Sequence, residues 1–369
     1  MHVVHLLASL ETGGSELVAV ELSEALLKTG HSVTVFAAKG PLSARLEQAG
    51  AQLFDWPLGH KSLLTLGYIP RFRQWVKRSR PDILHFHSRL PGWIARLALT
   101  GLGSRRRPQL VTTVHGHYSV NWYSAIMTRG NRVIAVSESI CDYVRDNYPA
   151  VPDDRLVCLP LGTDPRLFPP GHKPSAQWWQ SFHAEFPESR NRVFLVLPGR
   201  LTRLKGHAAF IRLLAHLVTA GYDVHGLIVG PVPRQKQRYF GELQAMIETL
   251  GISGRVSFTG SRNDLGDLFA ASALVFNLST KPEAFGRTVL EALSIGTPVV
   301  GWDYGGVREI LAEVFDAGRV PPHDETALLE QCAALLKNPQ KPDPERRYPL
   351  SRMTGLTLEL YQTVLDEPT

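Results

Sequence analysis

A short apolar run, a loop and an amphipathic stretch follow one another repeatedly along this chain of 369 residues. The first copy is HVVHLLA (2–8), then ETGGSE, then an apolar-periodic stretch from Leu17 to Leu27 that Gly30 closes; a second apolar run follows at 31–38. Strands joined by helical crossovers run parallel, because the helix returns the chain to the edge of the sheet where the first strand began. The pattern therefore predicts an α/β fold, in which helices cover both faces of a parallel sheet.

The alternation occurs in two successive halves. In the first half the apolar runs lie at 2–8, 31–38, 82–88, 109–116, 131–137 and 155–164. Residues 165–190 are rich in proline and aromatic side chains and lack clear periodicity, which is typical of a connection between domains. The alternation restarts at 192–200, and one amphipathic helix ends the chain. Ligands of doubly wound sheets bind beyond the carboxyl ends of the strands, so a cleft between two facing halves is the expected site.

Composition and cysteine usage narrow the class of protein. A hydrophobic content of 44% and a charged content of 20% are typical of a globular chain. No basic segment precedes the first apolar run, and no stretch approaches the roughly 18 apolar residues that span a bilayer, so we expect neither a signal peptide nor a transmembrane helix. Cys141, Cys158 and Cys332 are odd in number and form no CxxC pair, which predicts reduced thiols. We expect a cytoplasmic protein, or one on the cytoplasmic face of a membrane.

The net charge of +6 is concentrated in one segment. From Lys61 to Arg132 there are thirteen Lys and Arg residues and one acid, Asp82, so this basic segment carries +12 and the rest of the chain −6. The imbalance favours an anionic partner: a phosphorylated acceptor, an anionic lipid surface or nucleic acid. Within the segment, RFRQWVKRSR (71–80) mixes Trp and Phe with cations, as helices at a membrane interface do. We therefore expect peripheral contact with an anionic membrane surface.

A glycine-bounded loop follows the first strand of each half. GGSE (13–16) permits a ligand to approach the backbone and precedes a helix start that attracts anions; a tight turn with a positive φ is the competing interpretation. It is not GxGxxG, so a dinucleotide fingerprint is not supported. GRLTRLKG (199–206) places Arg200 and Lys205 at a strand's carboxyl end, which suits a diphosphate leaving group, with a pair of solvated surface cations as the alternative.

A third loop leads into a helix and carries two carboxylates. In KPEAFGRTVLEAL (281–293), Pro282 delays the helix, so Glu283 is expected in the loop and Glu291 about one turn into the helix. Eight helical residues span about 12 Å, more than the carboxylate pair of a glycosidase requires. Taken alone, a glutamate on a helix such as Glu291 is more often a solvated carboxylate than a ligand-binding residue. The backbone N–H groups expected to face a phosphate or sugar belong to Phe285, Gly286 and Arg287.

Together these motifs, with the continuation SIGTPVV and WDYGGVREI (302–310), resemble the retaining glycosyltransferases of family 4, which have the GT-B fold of two Rossmann-like domains. The resemblance covers nearly the whole chain and is strongest over 192–312. It implies an N-terminal acceptor-binding domain over residues 1–170 and a C-terminal domain over 171–345 that binds the nucleotide sugar. It also implies a terminal helix over 346–369 that packs back on the N-terminal domain.

The resemblance implies a role in donor binding for each motif residue. Gly14 would lie against the donor's diphosphate or sugar, and Arg200 and Lys205 would hold the diphosphate and stabilise it as it leaves. Glu283 would accept hydrogen bonds from the transferred sugar, and Glu291 would bind the ribose. The backbone of Ala284, Phe285 and Gly286 would lie beside the sugar. Arg262 would lie near the base, and His115 in TVHGHY would lie under the donor sugar, near the acceptor.

The mechanism that the resemblance implies is a front-face transfer, in which the acceptor attacks from the side where the leaving group departs and the departing phosphate takes its proton. In keeping with this, the sequence contains no convincing pair of nucleophile and base. It also lacks an Asp-x-Asp motif, so we predict no cofactor and no essential divalent metal. A UDP-sugar is the expected donor, a GDP-sugar is the alternative, and a glycan or lipid-linked acceptor such as a lipopolysaccharide core is the expected acceptor.

Alternating histidines occur in HFHS (85–88) and HGH (115–117), and such residues can ligate zinc. No Cys or acidic residue lies at a suitable spacing in either motif. We therefore expect these histidines to line the acceptor side of the cleft.

Two other functions compete with a glycosyltransferase. A non-hydrolysing sugar-nucleotide epimerase shares the two-domain architecture, but it requires carboxylates or other groups for proton abstraction and elimination in the N-terminal half. No acidic residue occurs there in such a motif, and the basic segment holds only Asp82. A basic nucleic-acid-binding protein would explain the charge and leave Glu283, Glu291, Arg200 and Lys205 without a role, and no RNA-binding signature is present. An inactive relative is a third possibility, although all the motif residues of the donor site are present.

Overall fold

The structure is a computed structural model that describes residues 1–103, 107–232, 236–342 and 348–367. It divides into two units, each built on one parallel sheet. Unit 1 comprises Met1–Leu161 and Leu350–Thr369, and unit 2 comprises Gly162–Pro349. The two sheets confirm the prediction of an α/β protein with two doubly wound halves.

The first division falls at 161/162, whereas the sequence analysis places it at 170. Residues after 161 belong to unit 2 because they bond to the end of one of its helices. The Thr163 hydroxyl lies 3.0 Å from the Ser294 hydroxyl, and the Gly171 N–H donates to the carbonyl of Ile295 at 2.9 Å. The expected boundary at 345/346 lies outside the described residues, as do Arg105 and Arg106 of the basic segment.

Unit 1 is built on a seven-stranded sheet in which every pairing is parallel. Its strands are β1 (His2–Ser9), β2 (Ser32–Ala38), β3 (Gln52–Asp55), β4 (Ile83–Phe86), β5 (Gln109–Val114), β6 (Arg132–Ala135) and β7 (Leu156–Cys158). Across the sheet their order is β3-β2-β1-β4-β5-β6-β7, so the winding reverses between β1 and β4. Such a reversal leaves a crevice at the carboxyl ends of the two strands.

The crossovers of unit 1 carry helices α1 (Gly14–Lys28), α2 (Ser43–Ala49), α3 (Tyr68–Ser79), α4 (Arg89–Ala98) and α5 (Glu138–Asn147). The apolar positions of α1 are buried, among them Val18, Leu22 and Leu26. Gly30, just past the end of α1, has a φ of 80°, a conformation that glycine adopts at no steric cost. The sequence pattern therefore identified this crossover correctly.

The aromatic residues of α3 belong to the core. Phe72 is fully buried, and the Trp75 ring stacks on it at 5.9 Å and meets the Phe36 ring edge-on at 4.9 Å. Phe72 is therefore not available to a membrane, contrary to the expectation for this helix, and Trp75 is half-buried in the same aromatic cluster between α3 and the sheet. The exposed apolar side chains lie just before α3, in the 3₁₀ turn Leu63–Gly67, where Leu63 and Leu64 are each 86% exposed.

Unit 2 is built on a six-stranded parallel sheet. Its strands are β8 (Val193–Pro198), β9 (Val224–Val229), β10 (Val256–Gly260), β11 (Ser272–Asn277), β12 (Val299–Trp302) and β13 (Arg319–Val320). The order β10-β9-β8-β11-β12-β13 reverses the winding between β8 and β11. Its helices are α6 (Ala176–Glu185), α7 (His207–Thr219), α8 (Gln237–Thr249), α9 (Leu265–Ala270), α10 (Arg287–Ile295), α11 (Gly305–Val314) and α12 (Glu325–Lys337).

Helix α6 lies within the stretch 165–190, which the sequence analysis interprets as a connection without periodicity. The side chain of Ser175 caps it by accepting from the Trp178 N–H at 3.1 Å. Trp178 stacks on Phe182 at 4.8 Å, and Phe182 contacts Phe194 of β8 at 5.4 Å between ring centroids. This aromatic packing makes the segment an integral part of unit 2.

The last helix, α13 (Leu350–Asp366), returns to unit 1. Its Tyr361 is fully buried, and the phenolic oxygen lies 2.6 Å from Nδ1 of His85 on β4. Farther along, Glu367 forms an ion pair with Arg132. The helix is thus held to the first sheet by one buried and one partly exposed polar contact. Over the described residues, no helix is both long and apolar enough to cross a bilayer.

Four histidines gather in the core of unit 1 near the carboxyl ends of β1, β4 and β5. Nδ1 of His5 lies 3.0 Å from Nε2 of His87, and Nδ1 of His87 lies 3.0 Å from Nε2 of His115. Nε2 of His85 lies 2.7 Å from the Thr113 hydroxyl. Burial disfavours the charged imidazolium, which lowers the pKa of His5 and of His115 to about 3 and the pKa values of His85 and His87 well below the usual range.

These depressed pKa values predict a protein that loses stability in mild acid. The unfolded chain, with histidine pKa values near 6.5, binds more protons than the folded chain below that pH, so the free energy of unfolding is greatest above it and falls as the pH decreases. At pH 5, His5 alone should lower the free energy of unfolding by about 2 kcal/mol relative to pH 7.5, and the other three histidines add to the loss. Urea denaturation at both pH values and constant ionic strength measures this, and equal stabilities would contradict it.

Candidate functional site

The predicted site residues of unit 2 lie at the carboxyl ends of β8 and β11, the two strands where the winding reverses. Two loops meet there: Gly199–Gly206 after β8, and residues 278–286 after β11. The Thr280 N–H donates to the carbonyl of Leu204 at 2.7 Å. A Cβ on Gly206 would lie 1.9 Å from the carbonyl oxygen of Leu278, and Gly206 has a φ of 76°. Glycine at this position therefore allows the two loops to touch.

Lys205 and Glu283 form an ion pair between these loops. Their side chains are 30% and 23% exposed, so the pair remains accessible to a ligand. The Ser279 hydroxyl also donates to the Glu283 carboxylate, at 2.5 Å. Burial alone would raise the pKa of Glu283, but the Lys205 charge and the donated hydrogen bonds outweigh it and lower that pKa. Glu283 is therefore an ionised hydrogen-bond acceptor at neutral pH, and it lies in the loop as expected.

The glycine pair of WDYGGVREI lets α11 pack against the Glu283 loop. A Cβ on Gly306 would lie 2.4 Å from the Cα of Phe285, and one on Gly305 would lie 2.6 Å from the carbonyl oxygen of Glu283. The Gly306 N–H donates to that same carbonyl at 2.9 Å. The loop is consequently fixed by backbone contacts, which leaves the Glu283 side chain directed by Lys205 and Ser279.

Helix α10 begins directly after this loop and buries Glu291. Gly286 precedes the helix with a φ of 102°, and its neighbours Ala284 and Phe285 are half-buried and buried. The Arg287 Nε donates to the Glu291 carboxylate at 2.9 Å, and the two side chains are 11% and 7% exposed. The interpretation of Glu291 as a solvated carboxylate is therefore wrong. The charge is compensated within the helix, one turn from its amino end.

The two arginines of GRLTRLKG differ in their surroundings. Arg203 forms an ion pair with Glu242, and its guanidinium lies 4.7 Å from the centre of the Tyr239 ring. Arg200 is exposed and has no acidic partner within the described residues. An uncompensated guanidinium beside a lysine attracts an anion, since each cation adds to the positive potential at the strand ends.

Arg262 is engaged by two carboxylates. Its Nε and Nη2 donate to Asp264 at 2.8 and 2.6 Å, and its Nη1 donates to Glu185 at 2.6 Å. Its guanidinium also lies over the Phe182 ring at 5.5 Å. These contacts anchor α6 to the loop after β10, so the described contacts give the side chain a structural role. Its assignment to the nucleotide base rests on the resemblance.

The predicted residues of unit 1 lie after β1 and β5. Gly13 is extended, with a φ of −87°, and no side chain caps the amino end of α1. A Cβ on Gly14 would meet nothing within 4 Å. The tight turn with a positive φ is therefore absent. Open space surrounds the Cβ position of Gly14, whereas a Cβ on Gly13 would lie 2.3 Å from the Glu16 carboxylate. His115 follows β5 and is half-buried, with its Nε2 bonded to His87.

Sequence reasoning missed a guanidinium in unit 1, that of Arg89. Arg89 is the first residue of α4, just past the end of β4; its guanidinium lies 4.9 Å from the Tyr118 ring centre and 5.3 Å from that of Tyr123. Its Nη1 donates to the Ser124 hydroxyl at 3.1 Å. It has no acidic partner in the part of the chain that the structure describes. Its position just after a strand could have marked Arg89 as a site residue, but it is one of thirteen Lys and Arg residues in the basic segment, and the sequence does not distinguish it from the others.

Among the residues that the structure describes, two groups of side chains have the spacing of metal ligands. His5, His85 and His87 form one, and Glu138, Cys141 and Cys158 form the other, with ligand atoms within 4.8 Å of one another in each. The second group was not predicted from the sequence, because its two cysteines lie on different elements, α5 and β7. Neither group lies in unit 2, which contains Arg200 and Lys205, the residues predicted to bind the diphosphate.

A cavity of about 640 Å³ in unit 2 lies at the opposite edge of the sheet. The first residues of two strands, Val193 and Val224, line it together with Ser272 and Pro298 near the starts of β11 and β12. Because the predicted donor residues lie at the carboxyl ends of these strands, this cavity is separate from the candidate site.

Comparison with known proteins assigns both units. Residues 12–167 match the domain family Glycosyltransferase Family 4, and residues 180–348 match Glycosyl transferases group 1. The chain is 25% identical to N-acetyl-alpha-D-glucosaminyl L-malate synthase of Bacillus anthracis over 344 residues, covering 88% of this chain and 85% of that protein. It is also 25% identical to D-inositol 3-phosphate glycosyltransferase 1 of Catenulispora acidiphila over 363 residues, covering 90% and 84%.

Solved structures share the fold. A glycosyltransferase from Rickettsia africae superposes with a TM-score of 0.86 at 22% identity, covering 100% of this chain and 99% of that one. Anabaena Alr3699/HepE in complex with UDP and glucose gives a TM-score of 0.84 at 22% identity, covering 98% and 100%. WaaG, a glycosyltransferase of lipopolysaccharide biosynthesis, gives 0.68 at 17% identity, covering 99% and 95%. With both units matched, the chain belongs to the glycosyltransferases that combine a Glycosyltransferase Family 4 domain with a Glycosyl transferases group 1 domain, and it has the GT-B fold.

Proposed function

We propose that this glycosyltransferase moves a hexose from a UDP-sugar to an anionic glycan or lipid-linked acceptor, with retention of configuration and without a divalent metal. The observation that carries the proposal is the Lys205–Glu283 pair beside Arg200 at the carboxyl edge of the unit 2 sheet. It combines an ionised acceptor for sugar hydroxyls with two cations for a diphosphate. The name of the Anabaena structure, which includes UDP and glucose, supports uridine as the base.

The two carboxylates of the motif divide the donor between them. Glu283, in the loop and held by Lys205, would accept hydrogen bonds from the hydroxyls of the transferred sugar. Glu291, buried in α10 and held by Arg287, would bind the ribose hydroxyls. The amino end of α10 lies between them and would face the phosphates. In unit 1, Gly14 would lie against the diphosphate or sugar, and His115 would contact the transferred sugar.

The chemistry requires no enzymic nucleophile. The acceptor hydroxyl oxygen forms a bond to the anomeric carbon on the face from which the diphosphate departs, while the bond from that carbon to the phosphate oxygen breaks. The hydroxyl proton passes to the departing phosphate oxygen. Lys205 and Arg200 would stabilise the negative charge that develops on this leaving group, and in this proposal they replace a divalent cation.

Arg89, whose charge has no acidic partner among the described residues, would bind an anionic group on the acceptor. Its guanidinium is held between two tyrosine rings and donates to Ser124, so its position is fixed before any ligand binds. A partly buried guanidinium suits bidentate binding of phosphate or carboxylate. The relative named D-inositol 3-phosphate glycosyltransferase 1 supports a phosphorylated acceptor, and the likeness to WaaG keeps lipopolysaccharide synthesis as the proposed pathway.

Contact with a membrane would use the turn before α3. Leu63 and Leu64 are largely exposed, and the cations on the exposed side of α3 follow them: Arg71, Lys77 and Arg78. Leucine side chains that enter the lipid headgroup region, with cations beside them, favour anionic bilayers. This surface would bring unit 1 to a lipid-linked acceptor on the inner face of a membrane.

The epimerase remains the enzymatic alternative, and one incubation separates the two functions. Supplying a UDP-sugar without an acceptor should give slow hydrolysis or no reaction. Detection of an isomerised sugar nucleotide would show that the protein is an epimerase and would contradict the proposed transfer.

The division of roles between the carboxylates predicts opposite effects of two substitutions. Glu283→Gln should lower kcat of transfer by about 100-fold or more, because the sugar loses a charged acceptor, and should change the Kd for UDP by less than about twofold. Glu291→Gln should raise the Kd for UDP by about tenfold. Calorimetry with UDP and an assay of UDP release measure the two quantities. Glu242→Gln is the control, and near-normal transfer by Glu283→Gln would refute the role of that residue.

The anionic acceptor predicts that Arg89 binds phosphate. With UDP at saturation, so that Arg200 and Lys205 are occupied, hexose phosphates should raise the Tm of the protein, since they bind only its native state. Arg89→Gln should remove this rise while the rise caused by UDP persists. Arg96→Gln, on the exposed side of the same helix, should behave as the unmodified protein. An undiminished response of Arg89→Gln would exclude this residue from acceptor binding.

The membrane surface predicts that leucine residues contribute to vesicle binding. The protein should sediment with phosphatidylglycerol vesicles at low salt and much less with phosphatidylcholine vesicles. Replacing Leu63 and Leu64 together by Ser should weaken binding by about tenfold or more, because two apolar side chains no longer leave water. Leu250→Ser in unit 2, which is also at an exposed leucine, is the control. Absence of binding by the unmodified protein would remove the membrane from the proposal.

A further inference from the structure

Three histidines of unit 1 form a continuous hydrogen-bonded row from the core to the half-buried His115. His5 lies at the inner end and is fully buried, His87 lies in the middle, and His115 lies at the outer end. Within the row, each contact joins a δ nitrogen to an ε nitrogen: Nδ1 of His5 to Nε2 of His87, and Nδ1 of His87 to Nε2 of His115. The histidine row therefore has a direction.

All three imidazoles are neutral at physiological pH, because burial lowers their pKa values far below it. A neutral imidazole has one N–H and one lone pair, and each hydrogen bond needs one of each. Consequently the three rings share one tautomer. Either every proton is on Nδ1 and the bonds run outward to His115, or every proton is on Nε2 and they run inward to His5.

The inner end of the row decides between these two states. Nε2 of His5 is buried and has no hydrogen-bond partner among the described residues. In the inward arrangement this nitrogen would carry an N–H with no acceptor, and buried N–H groups without partners are rarer in proteins than under-satisfied acceptors. In the outward arrangement it carries only a lone pair. The outward arrangement also leaves the proton of His115 on Nδ1, which makes no hydrogen bond to a described residue.

We propose that His5 and His87 are positioning residues that fix His115 as the Nδ1–H tautomer, so that it presents a hydrogen-bond donor. That this donor serves the transferred sugar rests on the proposed function; the tautomer itself does not. A donor at this position sets the direction of the hydrogen bond: a sugar hydroxyl would accept from His115 and direct its own proton to another group. The two inner histidines thereby contribute to recognition without touching the ligand.

Two other uses of the row fit the contacts less well. A proton relay would need an exit beyond His5, and none exists there among the described residues, so a proton that entered at His115 could not leave at the other end. A metal ion held by His5, His85 and His87 would displace one of the two hydrogen-bond partners of His87, because both nitrogens of that ring are already bonded. It would also displace a partner of His85, whose nitrogens contact Tyr361 at 2.6 Å and Thr113 at 2.7 Å. Both uses are outcomes of the experiment below.

The direct test is the tautomer of His115 in solution. Long-range proton–nitrogen correlation spectra of the ¹⁵N-histidine-labelled protein distinguish a protonated Nδ1 from a protonated Nε2 in each ring, and His115→Gln assigns the signals of that residue. We expect His115, His87 and His5 to show Nδ1–H. An Nε2–H pattern at His115 overturns the proposal, as does one equivalent of bound zinc in the purified protein.

Substitution at His5 tests whether the inner end sets the outer one. His5→Leu removes the donor to His87 and should turn the single tautomer of His115 into a mixture. His5→Asn, whose amide can donate to His87, should restore the Nδ1–H pattern. If the proposed transfer is correct, His5→Leu should lower kcat/KM about fivefold to tenfold and His5→Asn should recover most of it.

The matched control is His225→Leu in unit 2. His225 is also fully buried and makes one side-chain hydrogen bond, to Ser257 at 2.8 Å. This variant should lose stability like His5→Leu but keep the tautomer of His115 and the value of kcat/KM. An altered tautomer with unchanged kcat/KM would overturn the positioning role. Absence of transfer by the unmodified protein with any sugar nucleotide would instead count against the proposed function and leave the spectra to decide the tautomer.

Discussion

Parallel pairing of β8 with β11 is the constraint on which the candidate donor site depends. Because parallel strands all end at one edge, residues 78 positions apart, Lys205 and Glu283, come to lie in contact. The reversal of winding between these strands keeps the site open for a ligand. Gly206 then removes the last steric obstacle, since any side chain there would strike the carbonyl of Leu278. The ion pair thus depends on the loop glycine that lets the two loops touch, and both depend on the order of the strands in the sheet.

The cations near the candidate donor site differ in whether a carboxylate compensates their charge. In unit 2, Arg203, Arg262 and Arg287 each have carboxylate partners, whereas Arg200 has none among the described residues. A paired cation contributes little to the potential around it, and Lys205 is itself paired with Glu283, so the attraction for an anion comes mainly from the unpaired Arg200. The sequence shows the number of cations in each motif, and only the contacts show which of them are available.

The strand and helix pattern was predictable because apolar periodicity is a local property. The same holds for the loop position of Glu283, which follows from Pro282, and for the helical position of Glu291. Properties that depend on distant partners were not predictable. The burial of Phe72 and Trp75 depends on Phe36, the helix α6 depends on Phe194, and the histidine row depends on the register of β1, β4 and β5. Arg89 was missed for the same reason, since its two tyrosines follow a different strand.

The return of α13 to unit 1 has a consequence for biosynthesis. Unit 1 consists of two segments separated by the whole of unit 2, and the buried contact between His85 and Tyr361 joins the two segments. As a ribosome extends the chain, the first sheet is complete long before the helix that covers part of it has been made. Unit 2 is one continuous segment, so all of its strands and helices have been synthesised before α13 is made. Co-translational folding therefore completes the second unit first and leaves a polar, histidine-containing surface of the first unit exposed until the last helix docks.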